Sequence, residues 1–301
     1  MAQTFLVTNI QVGNFEDLAN FITRISYDKT PFMSKAGRGK AKAIKHEWVT
    51  QALRAGATNE RAEGYAPTFA AADQTPRVRR SNQVQFVANP FSVAGTQDSV
   101  DKSGLGQGSE YEEQKELQFK QLSLDMDFEL LRSVAVTRDA DAGTAGEMDG
   151  LLAWAPAGNT RNANNDVLRQ ETYNAVCQAM AEQGSDPDVV IAAGYQRRMI
   201  SSWTQAFKSF ELSGKTTLTD TVEIYKGDFG QQSVMYDKQM TPTDVVIFQS
   251  SYVKVAFLRP AFHTELGLDG DRRRGFVGSE LTLEALNPNA IGRIQGLGVA
   301  V

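Results

Sequence analysis

The sequence predicts an α+β fold in which an extended β excursion precedes a long helix and the chain ends in strands. Three observations support this class. Residues 44–94 alternate as extended chain does, residues 109–134 carry the strongest helical pattern, and the apolar segments from Thr221 onward are mostly strand-like. Strands that are segregated from helices along a chain are typical of α+β proteins, whereas regular strand-helix alternation would favour a parallel α/β sheet.

Length, charge and cysteine content limit the function classes. The chain has 301 residues, enough for a sizeable core, and a formal net charge of -5. Proteins whose main task is to wrap nucleic acid are usually basic, so the composition disfavours that class. No segment reaches the roughly 18 consecutive apolar residues of a membrane span, so we expect no membrane partner. The single cysteine, Cys177, fits synthesis in a reducing compartment such as a cytoplasm.

The N-terminal region combines a short helix with a basic run. The spacing of apolar residues predicts a helix over residues 15–25, and Pro31 disfavours helix at Thr30. Such a basic run is typical of a nucleic-acid arm, but it also suits an arm that contacts another protein subunit. Between Asp28 and Glu47 the chain carries no acid and these lysines and arginines: Lys29, Lys35, Arg38, Lys40, Lys42 and Lys45.

The extended region predicts a two-stranded excursion with an irregular tip. Residues 43–53 and 80–96 both alternate, and the segment between them is rich in Ala, Gly, Pro and charge, without a helical stripe. A lone hairpin has little core of its own and is marginal in water. We therefore expect that either the rest of the chain or a neighbouring subunit covers it.

The excursion carries further candidates for nucleic-acid contact. Trp48 has a ring that can stack on a base, although a tryptophan in an alternating strand more often packs in a core. Arg77, Arg79 and Arg80 form a second basic cluster. A basic patch without a recognisable reading module is weak support for nucleic-acid binding, so we favour solvated faces or subunit contacts.

The strongest local signal is a long helix from about Ser109 to about Val134. Ser109 and Glu112 match a capping box, and the glutamates at positions 110–116 suit the positive end of the helix dipole. If the apolar stripe packs on a sheet, Phe128→Ala should cost about 3–5 kcal/mol. The stripe is formed by Leu117, Leu124, Phe128 and Leu131, and it is widened by Leu122, Met126 and Leu130.

The second half of the chain mixes helices with short strands. We predict a helix over 167–183 that ends at Gly184, a buried strand in DPDVVIAAG, and a third helix in YQRRMISSWTQAF. The segment that starts MDGLLAW should be a loop or a short strand. The region from Thr221 onward should form strands, with a charged turn at residues 267–275.

Motifs that resemble catalytic or ligand sites are incomplete. Residues 214–216 end like a phosphate-binding loop, but Ser209 stands where that loop requires glycine. Residues 104–108 lack the third glycine of a dinucleotide loop and precede glutamates that would repel a pyrophosphate. The acidic turn at 269–271 lacks a third calcium ligand, and no zinc-ligand spacing exists. We therefore predict no enzyme activity, no cofactor and no metal.

Two segments carry a resemblance to a known family. The stretch DKTPFMSKAGRGKAKAIKHEWVTQAL, followed by NERAEG, resembles the opening of the major capsid proteins of tailed bacteriophages, in the SU-ten-like group. The stretch SYVKVAFLRPAFHTELGLDGDRRRGFVGSELTLEALNPNAIGRIQGL resembles the end of the same proteins. The segments between, including the glutamate-led helix, follow in the expected order, so the resemblance covers nearly the whole chain.

The resemblance implies the Hong Kong 97-type capsid fold and a division of the chain. Residues 1–40 would be an N-terminal arm and 41–100 an extended β-hairpin loop. Residues 101–150 would belong to a peripheral domain with a long spine helix. Residues 151–250 would form an axial domain, and 251–301 would return to the peripheral domain.

The resemblance also implies a function and partners. The protein would self-assemble, as hexamers and pentamers, into the icosahedral shell that encloses a double-stranded DNA phage genome. It would be made in the bacterial host cytoplasm and reside in the virion. Because the chain starts directly with the arm, a separate scaffolding protein would be a partner. A portal and possibly decoration proteins would be further partners. Packaged DNA would be contacted weakly and without sequence preference. The alternative is a nucleic-acid-binding protein that uses its basic N-terminal arm.

In the capsid interpretation, the basic residues near the excursion would meet acidic surfaces of other copies, such as the glutamate-rich helix start. An excursion without a partner in its own chain makes sense if a neighbouring subunit covers it. The candidate inter-subunit contacts are Lys40, Lys42, Lys45, Trp48, Arg77, Arg79, Arg80, Glu112 and Glu113.

Overall fold

The computed structural model describes residues 29–53, 56–67, 75–100, 109–139, 141, 143–205, 224–268 and 270–299. The helix expected at residues 15–25 lies outside these residues, as does the segment 214–216. The described helices are α1 (Pro31–Lys35), α2 (Gly95–Ser99), α3 (Glu110–Arg132), α4 (Leu151–Trp154), α5 (Gln170–Glu182) and α6 (Gly194–Gln205). The described strands are β1 (Gly37–Lys40), β2 (Lys45–Thr50), β3 (Val78–Gln83), β4 (Gln85–Ala94), β5 (Thr160–Asn162), β6 (Val189–Ala192), β7 (Ile224–Gly227), β8 (Gly230–Tyr236), β9 (Val245–Phe248), β10 (Val253–Leu266), β11 (Arg272–Ala285) and β12 (Ile291–Gln295).

A four-stranded sheet joins the beginning of the described chain to its end. Its strand order is β1-β10-β11-β4, with β1 parallel to β10 and the other pairs antiparallel. The long helix α3 packs on β4 and β11. Mixed helix and strand with this segregation confirms the predicted α+β class.

A six-stranded sheet, in the order β5-β12-β9-β6-β8-β7, forms the second layer. Its central strands β6 and β9 are buried along their whole length. Val189 and Ile191 face the core that α3 also lines, whereas Val190 and Ala192 face the core under α5. Burial on both faces explains why these strands are continuously apolar rather than alternating, and it confirms the buried strand predicted in DPDVVIAAG.

Helix α5 follows its prediction closely. Its buried face is formed by Tyr173, Val176, Cys177 and Met180. Gly184 has φ +83° and its backbone N–H bonds the carbonyl of Ala181, while Ser185 N–H bonds the carbonyl of Met180. This pair of bonds is the Schellman end that a glycine after the helix predicts.

The start of α3 is capped differently from the prediction. Ser109 occupies the N-cap, but its side chain makes no capping bond to the helix, so the predicted capping box is wrong. Asp98 at the end of α2 supplies the acceptor: its Oδ1 accepts from the backbone N–H groups of Glu110 (2.7 Å) and Tyr111 (3.4 Å), and from Ser109 Oγ (3.0 Å). The Asp98 carboxylate therefore accepts hydrogen bonds from backbone N–H groups that have no acceptor within the first turn of the helix.

Only part of the predicted apolar stripe of α3 is buried. Leu122, Met126 and Leu130, spaced four residues apart, are buried against the sheet. Phe128 is 37% exposed, and the Arg132 guanidinium lies 4.7 Å from its ring centre. The prediction that Phe128 is a core residue is therefore wrong, because the sheet contacts the neighbouring stripe, although Leu131 is buried as predicted.

The extended region divides between two sheets. β2 pairs with β3 in register from Lys45↔Gln83 to Thr50↔Val78 and forms the expected two-stranded excursion. The next strand, β4, pairs with β11 instead. The prediction of one excursion that includes both alternating segments is thus wrong in its second half: Val84, whose N–H bonds the carbonyl of Ile44, ends the hairpin.

The segment that starts MDGLLAW contains the helical turn α4, which was not predicted, as well as the short strand β5 (Thr160–Asn162), which fits the predicted loop or short strand. Leu151 and Leu152 are buried in the helical turn α4. Gly150 precedes this turn, and a Cβ there would lie 2.9 Å from the backbone of Leu131 and Arg132. The close approach of the two backbones explains why glycine occupies this position.

Candidate inter-subunit surface

The excursion hairpin, defined here as residues 45–83, is anchored to the rest of the subunit at its base. Asn82 is buried, and its Nδ2 donates to the carbonyls of Asp149 (3.0 Å) and Leu283 (2.9 Å). Its Oδ1 accepts from the backbone N–H of Asp149 at 2.8 Å. One side chain therefore ties β3 to both the loop before α4 and strand β11.

Trp48 forms the second anchor. It is only 7% exposed, its Nε1 donates to the carbonyl of Ala285 at 3.0 Å, and its ring centre lies 5.5 Å from that of Trp154. The prediction of Trp48 as an inter-subunit contact is corrected here, because its indole belongs to the subunit's own core. The packing use of a tryptophan in an alternating strand is the correct interpretation.

Above this base, the hairpin has no cover from the described part of its own chain. The described tip residues, 51–53 and 56–67, are all exposed. Apolar side chains are among them: Leu53 is 95% exposed, while Val49 and Val78 on the strands are 59% and 48% exposed. Exposed apolar groups on a two-stranded ribbon are typical of a surface that another molecule covers.

The predicted basic residues line this hairpin and its approach. Lys40, at the end of β1, and Lys42 are exposed, as are Arg77 and Arg80. Two further cations, Lys45 and Arg79, each lie 3.5 Å from a carboxylate oxygen of Glu47 on the same hairpin. Lys45, Arg77, Arg79 and Arg80 therefore lie on the hairpin, with Glu47 between Lys45 and Arg79, whereas Lys40 and Lys42 lie on the segment that leads into it.

The acidic candidates lie elsewhere, at the start of α3. Glu112 is exposed and accepts a hydrogen bond from Lys115, which lowers the pKa of the Glu112 carboxyl. Glu113 is half-buried. Next to them Arg273 stacks 4.2 Å from the ring centre of Tyr111. The acids therefore remain on the surface of a well-ordered helix end, separate from the hairpin in sequence and in the fold.

Sequence reasoning missed Asn82 and the exposed apolar residues of the hairpin. Asn82 carries no signal, because an asparagine in an alternating segment gives no indication that it is buried. The pairing register places Val49 on the strand face opposite Trp48, whereas Val78 shares the face of Trp48 and Asn82 but lies at the far end of β3, away from the base. The residues that distinguish base from tip therefore needed the structure.

The described residues offer little for chemistry. They contain no group of three or more His, Cys, Asp or Glu side chains that is placed to hold a metal ion. None of the described helices combines the length and the apolar character that a membrane crossing requires.

Comparison with solved structures identifies the fold. The capsid asymmetric unit of cyanophage A-1(L) matches with a TM-score of 0.72 at 11% identity, over 97% of this chain and 100% of that chain. The capsid of a native GTA particle matches with 0.67 at 7% identity, over 95% and 96%. A structure from Mycobacterium phage Adephagia matches with 0.63 at 14% identity, over 96% of each chain. At such identities the likeness establishes the Hong Kong 97-type fold alone.

The family assignment comes from the sequence. A search of curated proteins found no match. The model of the SU10 major capsid protein family, however, matches residues 2–298. Major capsid proteins are structural proteins rather than enzymes, and they associate with copies of themselves as components of the virion. Because the match covers nearly the whole chain, the protein belongs to the SU10 major capsid protein family and has a structural role in a phage capsid shell.

Proposed function

We propose that the excursion hairpin is the element through which each subunit binds its neighbour in the shell. The observation that carries this proposal is a hairpin that is anchored at its base by Asn82 and Trp48 and is exposed throughout its described tip. This span is narrower than residues 41–100, because β4 belongs to the subunit's own sheet.

Within the described part of its own chain, the excursion hairpin has neither a third strand nor a helix that covers it. Two strands without a third strand or a covering helix are marginally stable in water. Burial of apolar surface stabilises by about 25 cal/mol per Å², so cover over Val49, Leu53 and Val78 would stabilise both the hairpin and the contact. A neighbouring copy is the partner that a closed shell makes available to every subunit.

Charge supports the same arrangement. Exposed cations of the hairpin and its approach, such as Arg77 and Lys42, would meet acidic surfaces of neighbouring copies, including the α3 start with Glu112 and Glu113. Each exposed pair is worth only about 0–1 kcal/mol, so such contacts choose the orientation rather than supply the affinity. Repetition in hexamers and pentamers of an icosahedral shell would sum many such small terms.

The test is Val49→Asp in the full-length subunit. We expect a free energy of unfolding within about 0.5 kcal/mol of wild type, because Val49 is exposed in the subunit. Particle counts by electron microscopy should fall sharply, because a carboxylate would have to be buried at the contact. Val134→Asp is the control, since Val134 is 67% exposed but lies outside the hairpin. Normal shells from Val49→Asp would refute the proposal.

We also propose that the two large sheets are the two domains of the capsid subunit. The four-stranded sheet with α3 would be the peripheral domain with its spine helix. The six-stranded sheet with α5 and α6 would be the axial domain. Strands β10 and β11, which follow β5–β9 in sequence but pair with β1 and β4, support the return of the chain to the peripheral domain, whereas β12 (Ile291–Gln295) belongs to the six-stranded sheet.

We propose further partners on the basis of the assignment to a major capsid protein family. These are a scaffolding protein, a portal, decoration proteins and the packaged double-stranded DNA, with synthesis in the bacterial host cytoplasm. The net charge of -5 supports a weak and non-specific contact with DNA. Nanomolar binding of an isolated subunit to a short duplex at physiological salt would contradict that contact and favour the nucleic-acid-binding alternative.

A further inference from the structure

Two aspartates meet in the core where three parts of the subunit join. Asp127 lies on α3, and Asp237 directly follows β8 of the six-stranded sheet; both are fully buried. The backbone N–H of Met33 in α1 donates to Asp127 Oδ1 at 3.1 Å. The backbone N–H of Gln239 donates to Asp237 Oδ1 at 2.8 Å. Each carboxyl group is thus held in place by one oxygen.

The second oxygen of each group has no donor. Asp127 Oδ2 and Asp237 Oδ2 are buried and accept no hydrogen bond within the part of the chain that the structure describes. Met240, three residues after Asp237, lies in the same core cluster as Met126, which precedes Asp127, and Met235 packs against that cluster. The two carboxyl groups therefore lie in one core, where burial and the interaction with Asp237 raise the pKa of Asp127. Two ionised carboxylates in contact would repel strongly in an apolar core, whereas one proton between them removes the repulsion and supplies the missing hydrogen bond.

The half-buried cation nearest to this pair in the fold is Arg197 on α6, a helix that packs on β8, and its Nε has no hydrogen-bond partner within the described part of the chain. On the same helix, Tyr195 is half-buried and Arg198 is exposed. Asp237 is the charged group that acts on Asp127. On α1 the charged residue is Lys35, which is exposed, and α4 carries no titratable side chain. Beside Asp237, Tyr236 is half-buried and Lys238 is exposed.

The charged groups of the other packed elements are engaged elsewhere. β4 has no titratable residue. The charged partners along α3, α2 and β11 pair among themselves or with other strands: Asp125 with Asn89, Glu129 with Ser133, Arg273 with Asp98 and Glu265, Glu280 with Arg259, and Glu284 with His46. Arg274 donates to the carbonyl of Gly267, and Arg272 is exposed at the start of β11.

We propose that Asp127 and Asp237 bind one proton between them, and that this protonated pair ties α3, α1 and the six-stranded sheet together until rising pH removes it. Burial and the adjacent Asp237 carboxylate raise the pKa of Asp127 to about 8, from an ordinary value of 3.8. Between these two values the folded subunit holds more protons than the unfolded chain. The stabilisation is therefore complete below about pH 4 and is lost as the pH rises through about 8.

The matched variant is Asp127→Asn. The amide keeps the oxygen that accepts from Met33 and replaces the shared proton with a permanent N–H donor toward Asp237. The control is Asp186→Asn, which removes an exposed aspartate of the same type. Denaturant unfolding of the full-length subunit is measured from about pH 5 to 9 for wild type and both variants.

In wild type and in Asp186→Asn, the unfolding equilibrium constant should rise by up to tenfold per pH unit relative to Asp127→Asn, which is the slope for one linked proton. Equal pH dependence in wild type and Asp127→Asn would overturn the proposal. If Asp127→Asn does not fold, infrared spectra of wild type decide. A protonated carboxyl band present at about pH 6 and lost near pH 8 supports the shared proton, and no such band at pH 6 overturns it.

Discussion

At the scale of single residues, Phe128 and Leu130 show how differently two neighbours on α3 are placed. Leu130 is fully buried against the sheet, whereas Phe128 has Arg132 stacked on an exposed ring. Residues two positions apart on a helix point about 200° apart, so both cannot face the same sheet. The side that is buried decides which truncation destabilises the subunit.

We predict that Leu130→Ala destabilises the isolated subunit by about 2–5 kcal/mol, through lost burial and the cavity it leaves. Phe128→Ala, the matched variant on the same helix, should cost about 1 kcal/mol or less, since it removes an exposed ring and one cation–π contact. Denaturant unfolding of both variants gives the two values. Equal losses would mean that α3 presents a different face to the sheet.

At the scale of elements, the excursion hairpin depends on few anchors. Asn82 makes its bonds to Asp149 and Leu283 from a buried position. Because the tip is exposed, the stability of the hairpin relative to the body is set at this base. Opening of the hairpin should therefore be a local event rather than global unfolding.

We predict that Asn82→Ala destabilises the hairpin base by about 1–3 kcal/mol, because it leaves buried backbone groups of Asp149 and Leu283 without partners. Amide hydrogen exchange in β2 and β3 should accelerate, while exchange in α5 stays unchanged. Asn89→Ala is the control, as Asn89 bonds the Asp125 carboxylate at a less buried site. Unchanged exchange in β2 and β3 would show that Asn82 is not the anchor.

The elements themselves were largely predictable from the sequence, whereas their partners were not. The period of apolar residues located α3, α5 and the buried strand β6, and Gly184 marked a helix end. The cap of α3 was missed because Asp98 is eleven residues before Ser109 and belongs to another helix. The partner of β4 was missed because alternation identifies a strand but not the strand it pairs with.

The candidate site was predictable only in outline. The basic run and the exposed excursion followed from composition and alternation, while the burial of Trp48 depended on Trp154, more than a hundred residues away. Asp127 was concealed for a similar reason. A lone aspartate on the apolar face of α3 gives no sign that Asp237, which follows β8 of the six-stranded sheet, interacts with it.

At the scale of the whole molecule, contacts that are weak in one subunit are repeated in every copy of the shell. We predict that Lys40→Ala leaves subunit stability within about 0.5 kcal/mol of wild type, because Lys40 is exposed. Particle assembly should slow or the particles should become less stable. This loss of assembly rate or particle stability should be larger at low salt, where exposed charges are less screened. Subunit melting and particle counts at two salt concentrations measure this.

Lys238→Ala is the comparison for Lys40→Ala, since Lys238 is equally a solvent-exposed cation but lies beyond β8. It should assemble as wild type does. If Lys40→Ala unfolds the subunit outright, the basic run belongs to a core and the contact role assigned to it is wrong.

The position of the anchors also fixes when, during translation, the subunit becomes able to bind its neighbours. The hairpin is made early, but it is held by the carbonyls of Leu283 and Ala285 on β11, and β1 pairs with residues 254–257 of β10. On the ribosome, a nascent chain lacks the β10 partner until more than eight-tenths of the 301 residues have been synthesised, and it lacks the β11 anchors until more than nine-tenths have been. Incomplete chains therefore carry an unanchored hairpin, which should exclude truncated products from growing shells without any dedicated proofreading factor.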